Sequence, residues 1–380
     1  MNRLKQLTIH GQSIWLDYTK RSFVESGELR KLIDQDGLTG VTSNPTIFDE
    51  AISHGDEYDE AIRHAAERGL SADETFEEIM IVDIQAVADE LKDVFERTQG
   101  RDGFVSIEVS PHLAYDIAGS VAQGRSFWER VDRPNLFIKV PATPEGLPVI
   151  RHLIASGVNV NVTLLFGLHR YRAVIEAFLA GMEDRLVAGL PIDRVTSVAS
   201  FFLSRIDLAV DPQLAELGHG ESASAKRAQA LQGKTAIACA KQAYQLYQEV
   251  HRSERFRRLA AVGARPQRLL WASTGTKRPE ERDVRYVEAL IGPDTINTMP
   301  RKTLEAFRDH GDPTPHLEEN IAEAAAVLEE LGQSGIDLAA VSRRLEEEGV
   351  QKFIQPFDHL DHGLQRKLAE NSLSEARSRR

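Results

Sequence analysis

The chain has 380 residues, 42% of them hydrophobic and 27% charged, with 46 Lys and Arg against 58 Asp and Glu and a formal net charge of −12. That balance leaves no broad basic surface, which argues against nucleic acid and anionic membranes as partners, so an anionic substrate would need a local cationic pocket. One cysteine, Cys239, rules out an intrachain disulfide, and no apolar run approaches a membrane span. The segment Met1 to Ser13 lacks the apolar run of a signal peptide, and a cytoplasmic location is expected.

Short apolar runs alternate with longer helical segments, which predicts βα units around a parallel sheet. The first run, IWLD (14–17), ends on a carboxylate. The second, GVTSN (40–44), leads into Pro45, which favours an extended or turn conformation at Asn44. A helix is expected to open at Ser71, because Glu74 completes the spacing of a capping box. The third run, FVSIEV (104–109), contains Glu108, and the fourth, LFIKV (136–140), contains Lys139. A helix near 145–156 is expected to stop at Gly157. The fifth run is VNVNVTLL (158–165) and the sixth TSVASFF (196–202), with Arg205 just beyond. A segment rich in Ala, Gln and Lys, around 222–250, reads as helix. The seventh run, RLLWAST (268–274), passes into STGTKR (273–278), and the eighth is TINTM (295–299). Past about 312 the chain reads as helices, including 316–331, and Ser374 to Arg380 is expected to fray.

Eight strands with intervening helices fit a closed (β/α)8 TIM barrel over about 10–312, with a C-terminal helical extension over about 313–372 packed on it as one domain. An open doubly wound sheet is the competing architecture. The barrel is favoured because nearly every strand carries a polar residue at or near its C-terminal end: Asp17, Asn44, Glu108, Lys139, Thr163, Ser200, Ser273 and Asn297. Barrel enzymes build their sites there, although strand ends are also polar simply because they adjoin loops.

Lys139 is the sharpest chemical signal. It is flanked by large apolar residues, and burial favours the neutral amine, a nucleophile able to form a Schiff base with a ketone or aldehyde. The same position also suits a lysine that snorkels to solvent or pairs with a carboxylate. Asp17 and Glu108 are candidate acid–base groups, a pairing that equally suits glycoside hydrolysis. Asn161 and Thr163 share one face of their strand, as Thr42 and Asn44 do, and on the inward side would hold substrate or water; hydrogen bonding within the barrel is the plainer alternative. Arg205, Ser273 and Lys277 suit a phosphate seat, a common use of the loops after the late strands of a barrel.

Other motifs fail. The GKT at 233–235 lacks the upstream glycine of a P-loop, since Ala228 stands there. No HExxH pattern or dinucleotide glycine fingerprint occurs, and the cluster Asp358, His359, Asp361 and His362 is not expected to bind metal.

The segments GVTSNPTIF, DGFVSIEVSP, NLFIKVPAT and VNVTLLF resemble transaldolase motifs, and YVEALIGPDTINTMP resembles the segment around the last barrel strand in the longer bacterial members. The resemblance spans about residues 10 to 312 and extends more weakly through the C-terminal helices. It implies a class I aldolase barrel. The activity it implies is transfer of a dihydroxyacetone unit from sedoheptulose 7-phosphate to glyceraldehyde 3-phosphate, with no metal or organic cofactor. Lys139 matches the Schiff-base lysine, and Asp17 the base for the C4 hydroxyl. Glu108 and Thr163 match the pair that positions a water. Asn44, Asn161 and Ser200 would hold the dihydroxyacetone hydroxyls, and Arg205 and Ser273 the phosphate. This sequence departs from the shorter branch at Ser200 to Arg205 and at Gly275, where an arginine is expected, and Lys277 is the proposed substitute. A fructose 6-phosphate aldolase of the same family is the nearest rival, although that branch typically has glutamine where Glu108 stands. A two-carboxylate glycosidase and a barrel that only binds sugar phosphate are more remote. The expected partners are small sugar phosphates, and the expected state is a monomer or homodimer.

Overall fold

A computed structural model describes residues 2–43 and 45–378 of the chain. Eight parallel strands close into a barrel in sequence order: β1 (Gln12–Asp17), β2 (Leu38–Thr42), β3 (Phe104–Glu108), β4 (Leu136–Pro141), β5 (Val160–Leu165), β6 (Ser197–Phe202), β7 (Arg268–Ala272) and β8 (Thr295–Met299). Most strand residues are buried, because the outer helices cover one face and the barrel interior the other. The closed topology removes the doubly wound alternative.

The lower barrel is filled by aromatic rings. Trp15 packs on Phe104 and Phe137, with ring centroids 6.5 and 6.0 Å away. Trp15 is the register partner of Gly40 on β2, where any Cβ would fall inside the indole. Beneath the rings, Arg268 donates to Ser13 Oγ and to the carbonyls of Thr295 and Arg101, while Asp102 accepts from Trp15 Nε1 at 3.0 Å and from Ser13 Oγ. This plug of rings and paired charges fills the N-terminal end, opposite the C-terminal mouth of the barrel.

The last helix, Leu338–Ser378, lies across that mouth. Its seat depends on an irregularity in β5. The β5–β6 register shifts between Val162 and Leu165, and Leu164 takes φ +57°, a conformation rare for a bulky side chain. Leu164 then meets the helix at Gly349, where a Cβ would stand 2.8 Å from Leu164 Cδ2. Nearby, Arg170 pairs with Glu346 at 3.0 Å. The apolar core runs without a break from the strands into Val341, Leu345, Val350, Leu360 and Leu364 of this helix.

Several sequence expectations need correction. Strand β2 begins at Leu38, directly after Gly37 ends the preceding helical turn at φ +74°, and stops at Thr42. The helix expected over 222–250 is two, Ala223–Leu231 and Thr235–His251, broken at Gly233 (φ +70°), whose N–H donates to Asp211 at 2.9 Å. The helix expected from 316 starts at Ile321, because Lys241 Nζ takes the carbonyls of His316 and Glu319 at 2.7 Å each and Asn320 is left-handed. The last helix continues to Ser378 instead of fraying from Ser374; Arg379 and Arg380 lie outside the described residues. The capping box at Ser71 and Glu74 and the helix Gly146–Ala155 are as expected.

Candidate active site

A cavity of about 300 Å³ opens at the C-terminal mouth. Every catalytic candidate from the sequence, Asp17, Glu108, Lys139 and Thr163, lines it, as do Ser200, Arg205, Ser273 and Lys277. They come from β1, β3, β4, β5, β6 and the segments after β6 and β7. Parallel strands bring their ends to one level, and the period of two turns these side chains inward together.

Lys139 is 7% exposed and is the register partner of Glu108. Its Nζ pairs with Glu108 Oε1 and donates to the Ser43 carbonyl at 3.2 Å. Burial pushes the Glu108 carboxyl above its ordinary range, Lys139 pulls it back, and the Asp17 charge adds to the rise. Glu108 can therefore hold a proton beside the lysine nitrogen. On the other flank of Lys139, Thr163 Oγ1 is buried and has no hydrogen-bond partner among the described residues. Glu108, Lys139 and Thr163 also border a second cavity of about 20 Å³. That is room for one water, and these three supply its polar partners.

Asp17 accepts from Thr42 Oγ1 at 3.0 Å, and Thr42 Oγ1 lies 2.9 Å from Thr298 Oγ1. Below the floor, Ser200 Oγ donates to Asn161 Oδ1 at 2.6 Å and Asn161 Nδ2 donates to Ser106 Oγ at 3.0 Å. Asn161 is fully buried in this chain of bonds and does not line the cavity.

The cationic side of the cavity holds Arg205 and Lys277. Arg205 lies over the Phe202 ring, 5.5 Å from its centroid, and its buried Nη1 has no hydrogen-bond partner among the described residues. A buried donor left unsatisfied is costly, and an anion entering the cavity would relieve it. Ser273 lines the cavity at φ +55°, with its Oγ 2.8 Å from Ser204 Oγ.

Asn44 lies outside the described residues. Asn297 does not line the cavity; Thr298 does, so alternation along β8 turns Asn297 toward the outer layer. The TINTM run is polar on both faces, so alternation could not choose between them. Sequence reasoning also missed Phe353, which reaches the cavity from the last helix and lies 5.9 Å, centroid to Nζ, from Lys139. No local signal distinguished it from an ordinary helix-packing residue. Among the described residues no three His, Cys, Asp or Glu gather as metal ligands. Asp358 pairs with His112 at 2.7 Å, and His359 with Asp49 at 2.7 Å.

The site sets a buried lysine beside a carboxyl group, in one cavity with a buried arginine, at the end of a parallel barrel where barrel enzymes build their active sites. The family model described as Transaldolase/Fructose-6-phosphate aldolase matches residues 14–364, and the chain belongs to that family. It is 48% identical over 360 residues to the transaldolase of Thiobacillus denitrificans, covering 95% of this chain and 99% of that protein. It is 47% identical over 370 residues to the transaldolase of Thermobifida fusca, covering 97% and 99%. With the transaldolase 2 of Nostoc sp. it shares 42% over 373 residues, 97% of this chain and 98% of that protein. Among the described residues no helix is long and apolar enough to cross a membrane.

Proposed function

We propose that this transferase moves a dihydroxyacetone unit from sedoheptulose 7-phosphate to glyceraldehyde 3-phosphate, giving erythrose 4-phosphate and fructose 6-phosphate, through a Schiff base on Lys139. The observation that carries the reading is the Lys139–Glu108 pair, buried at the mouth of the barrel in direct register between β4 and β3. The near-full-length likeness to proteins named transaldolase supports the same activity.

The steps follow from the chemistry of an amine and a ketone. The Lys139 amine attacks the ketose carbonyl, and Glu108, whose carboxyl burial pushes above its ordinary range, donates to the departing water. The protonated imine is the electron sink. Asp17 takes the C4 hydroxyl proton, the C3–C4 bond breaks, and the aldose leaves. The three-carbon enamine stays on Lys139 and attacks the incoming aldehyde, after which the steps reverse. Arg205, Ser273 and Lys277 hold the phosphate, and Ser200, oriented by Asn161, holds a hydroxyl of the three-carbon unit. Asn44 completes that set. The chain is read as one domain, cytoplasmic, and a monomer or homodimer.

The fructose 6-phosphate aldolase reading stays second, since the family description covers both activities, and Glu108 favours transfer. A glycosidase using Asp17 and Glu108 gives the buried Lys139 no role.

The test is incubation with fructose 6-phosphate followed by borohydride and peptide mass analysis. A stable three-carbon adduct on Lys139 is expected, and its absence from folded protein with several ketose phosphates would remove the proposal. Adding an acceptor aldehyde then separates transfer from release.

A further inference from the structure

Phe353 is the one aromatic side chain that the last helix places in the catalytic cavity, and it comes from outside the barrel. It lines two spaces at once: the cavity of about 300 Å³ and the cavity of about 20 Å³ bounded by Glu108, Lys139 and Thr163. The ring is therefore a wall shared by the space that admits a sugar phosphate and the space that fits one water. Val350, one helical turn earlier, borders only the smaller space. The wall is held in place by the close seat of Gly349 on Leu164.

We propose that Phe353 is a specificity-determining residue that walls the water-sized space beside Lys139 off from the larger cavity, so that the bound three-carbon unit is passed to an aldehyde instead of being released. The inference rests on the Schiff-base reading of Lys139.

After the aldose leaves, the enamine has two fates. In transfer, its nucleophilic carbon bonds to the acceptor aldehyde. In release, that carbon takes a proton to give the imine, and a water adds to the imine carbon. One proton of that water moves to the nitrogen, the C–N bond breaks with its electron pair returning to nitrogen, the remaining hydroxyl proton is lost, and free dihydroxyacetone departs. Release consumes one proton at carbon and one water. Both must reach the same few atoms, and the space beside Glu108 and Thr163 has room for one water. An apolar ring 5.9 Å from the nitrogen stands between the water-sized space and the larger cavity and has no donor or acceptor to relay protons. A glycine or small polar residue there would join the two spaces into one.

The experiment compares wild type with Phe353→Ala, Phe353→Val and Phe353→Leu. Fructose 6-phosphate is the donor, with and without erythrose 4-phosphate. The readout is the ratio of free dihydroxyacetone released to units transferred, a ratio that a general loss of stability does not move. The expected result is a ratio raised at least about fivefold in the alanine variant, intermediate in valine and within about twofold of wild type in leucine. Val350→Ala enlarges the smaller space without removing the shared wall and should keep the wild-type ratio. An unchanged ratio in the alanine and valine variants, or an equal rise in the leucine and Val350 variants, would overturn the proposal. Should alanine fail to fold, the valine and leucine variants decide it. Borohydride trapping on the wild type separates the two levels. A Lys139 adduct with unaltered ratios sinks only the role of Phe353, whereas no adduct sinks the Schiff-base reading beneath it.

Discussion

Arg278 is ion-paired with the buried Asp211, and that pair ties the loop after β7 to the helix that carries Arg205. Lys277 precedes Arg278 directly, so the loop that carries Lys277 is anchored through this carboxylate, which also accepts the Gly233 N–H at 2.9 Å. Replacing Asp211 with asparagine keeps an acceptor but removes the charge. The KM for fructose 6-phosphate is expected to rise about tenfold, with kcat changed much less, because binding of the phosphate is lost equally in ground and transition states. Steady-state kinetics, with a thermal melt to monitor folding, would check this; a fall in kcat alone would place Asp211 elsewhere in the mechanism.

The two cations should differ in weight. Arg205 has a buried Nη1 with no partner among the described residues, and burial lowers its pKa from the usual arginine range, so it is held desolvated and ready for an anion. Lys277 sits on an open loop. Arg205→Ala is expected to raise KM by about two orders of magnitude and Lys277→Ala by about five- to tenfold, since desolvated charge-assisted bonds outweigh exposed ones. The same substitutions should matter far less for binding of unphosphorylated dihydroxyacetone. A Lys277→Ala enzyme with parent KM values would remove Lys277 from the phosphate seat.

The barrel and its candidate site residues were legible for one reason: parallel strands buried on both faces leave polar residues at their C-terminal ends conspicuous. That logic found Asp17, Glu108, Lys139, Thr163 and Ser200, all of which meet in one cavity. It misread β8, where Thr295, Asn297 and Thr298 leave no clean apolar face and only the closed barrel turns Thr298 inward. It could not place Asn161, since the bonds to Ser200 and Ser106 depend on neighbours far apart in sequence. It also gave no sign of Phe353, whose position depends on the β5 irregularity at Leu164 and the docking of a helix from the other end of the chain.

The Trp15–Gly40 contact predicts a stability effect far from the chemistry. A methyl group on Gly40 would overlap the indole, and the ring is confined by Phe104, Phe137 and the bond to Asp102. Gly40→Ala should destabilise the barrel by about 3 kcal/mol, the upper part of the usual range for overpacking a filled core. Urea unfolding would read this directly. A loss under about 1 kcal/mol would mean the lower barrel yields more readily than its ring packing implies.

Asp207 predicts a pH effect of definite sign. Its Oδ1 accepts from the Ala236 N–H and its Oδ2 from the Tyr286 hydroxyl, both at 2.8 Å, yet burial pushes its pKa up to about 6 from an ordinary 3.8. The neighbouring Asp211 adds to the rise and Arg285 opposes it. Between roughly pH 4 and 6 the folded chain keeps a proton that the unfolded chain releases. The contribution of this group is thus fully present below about pH 4 and is lost as pH rises through 6. Over that window the loss is on the order of 3 kcal/mol. Asparagine at this position cannot titrate, so Asp207→Asn should remove that component of the slope. Urea unfolding of both proteins at several pH values from 4.5 to 7.5 would show the stability of wild type relative to the variant falling up to about pH 6 and level above it. Parallel profiles would mean that Asp207 is ionised in the folded chain throughout, with its two hydrogen bonds and Arg285 outweighing the cost of burial.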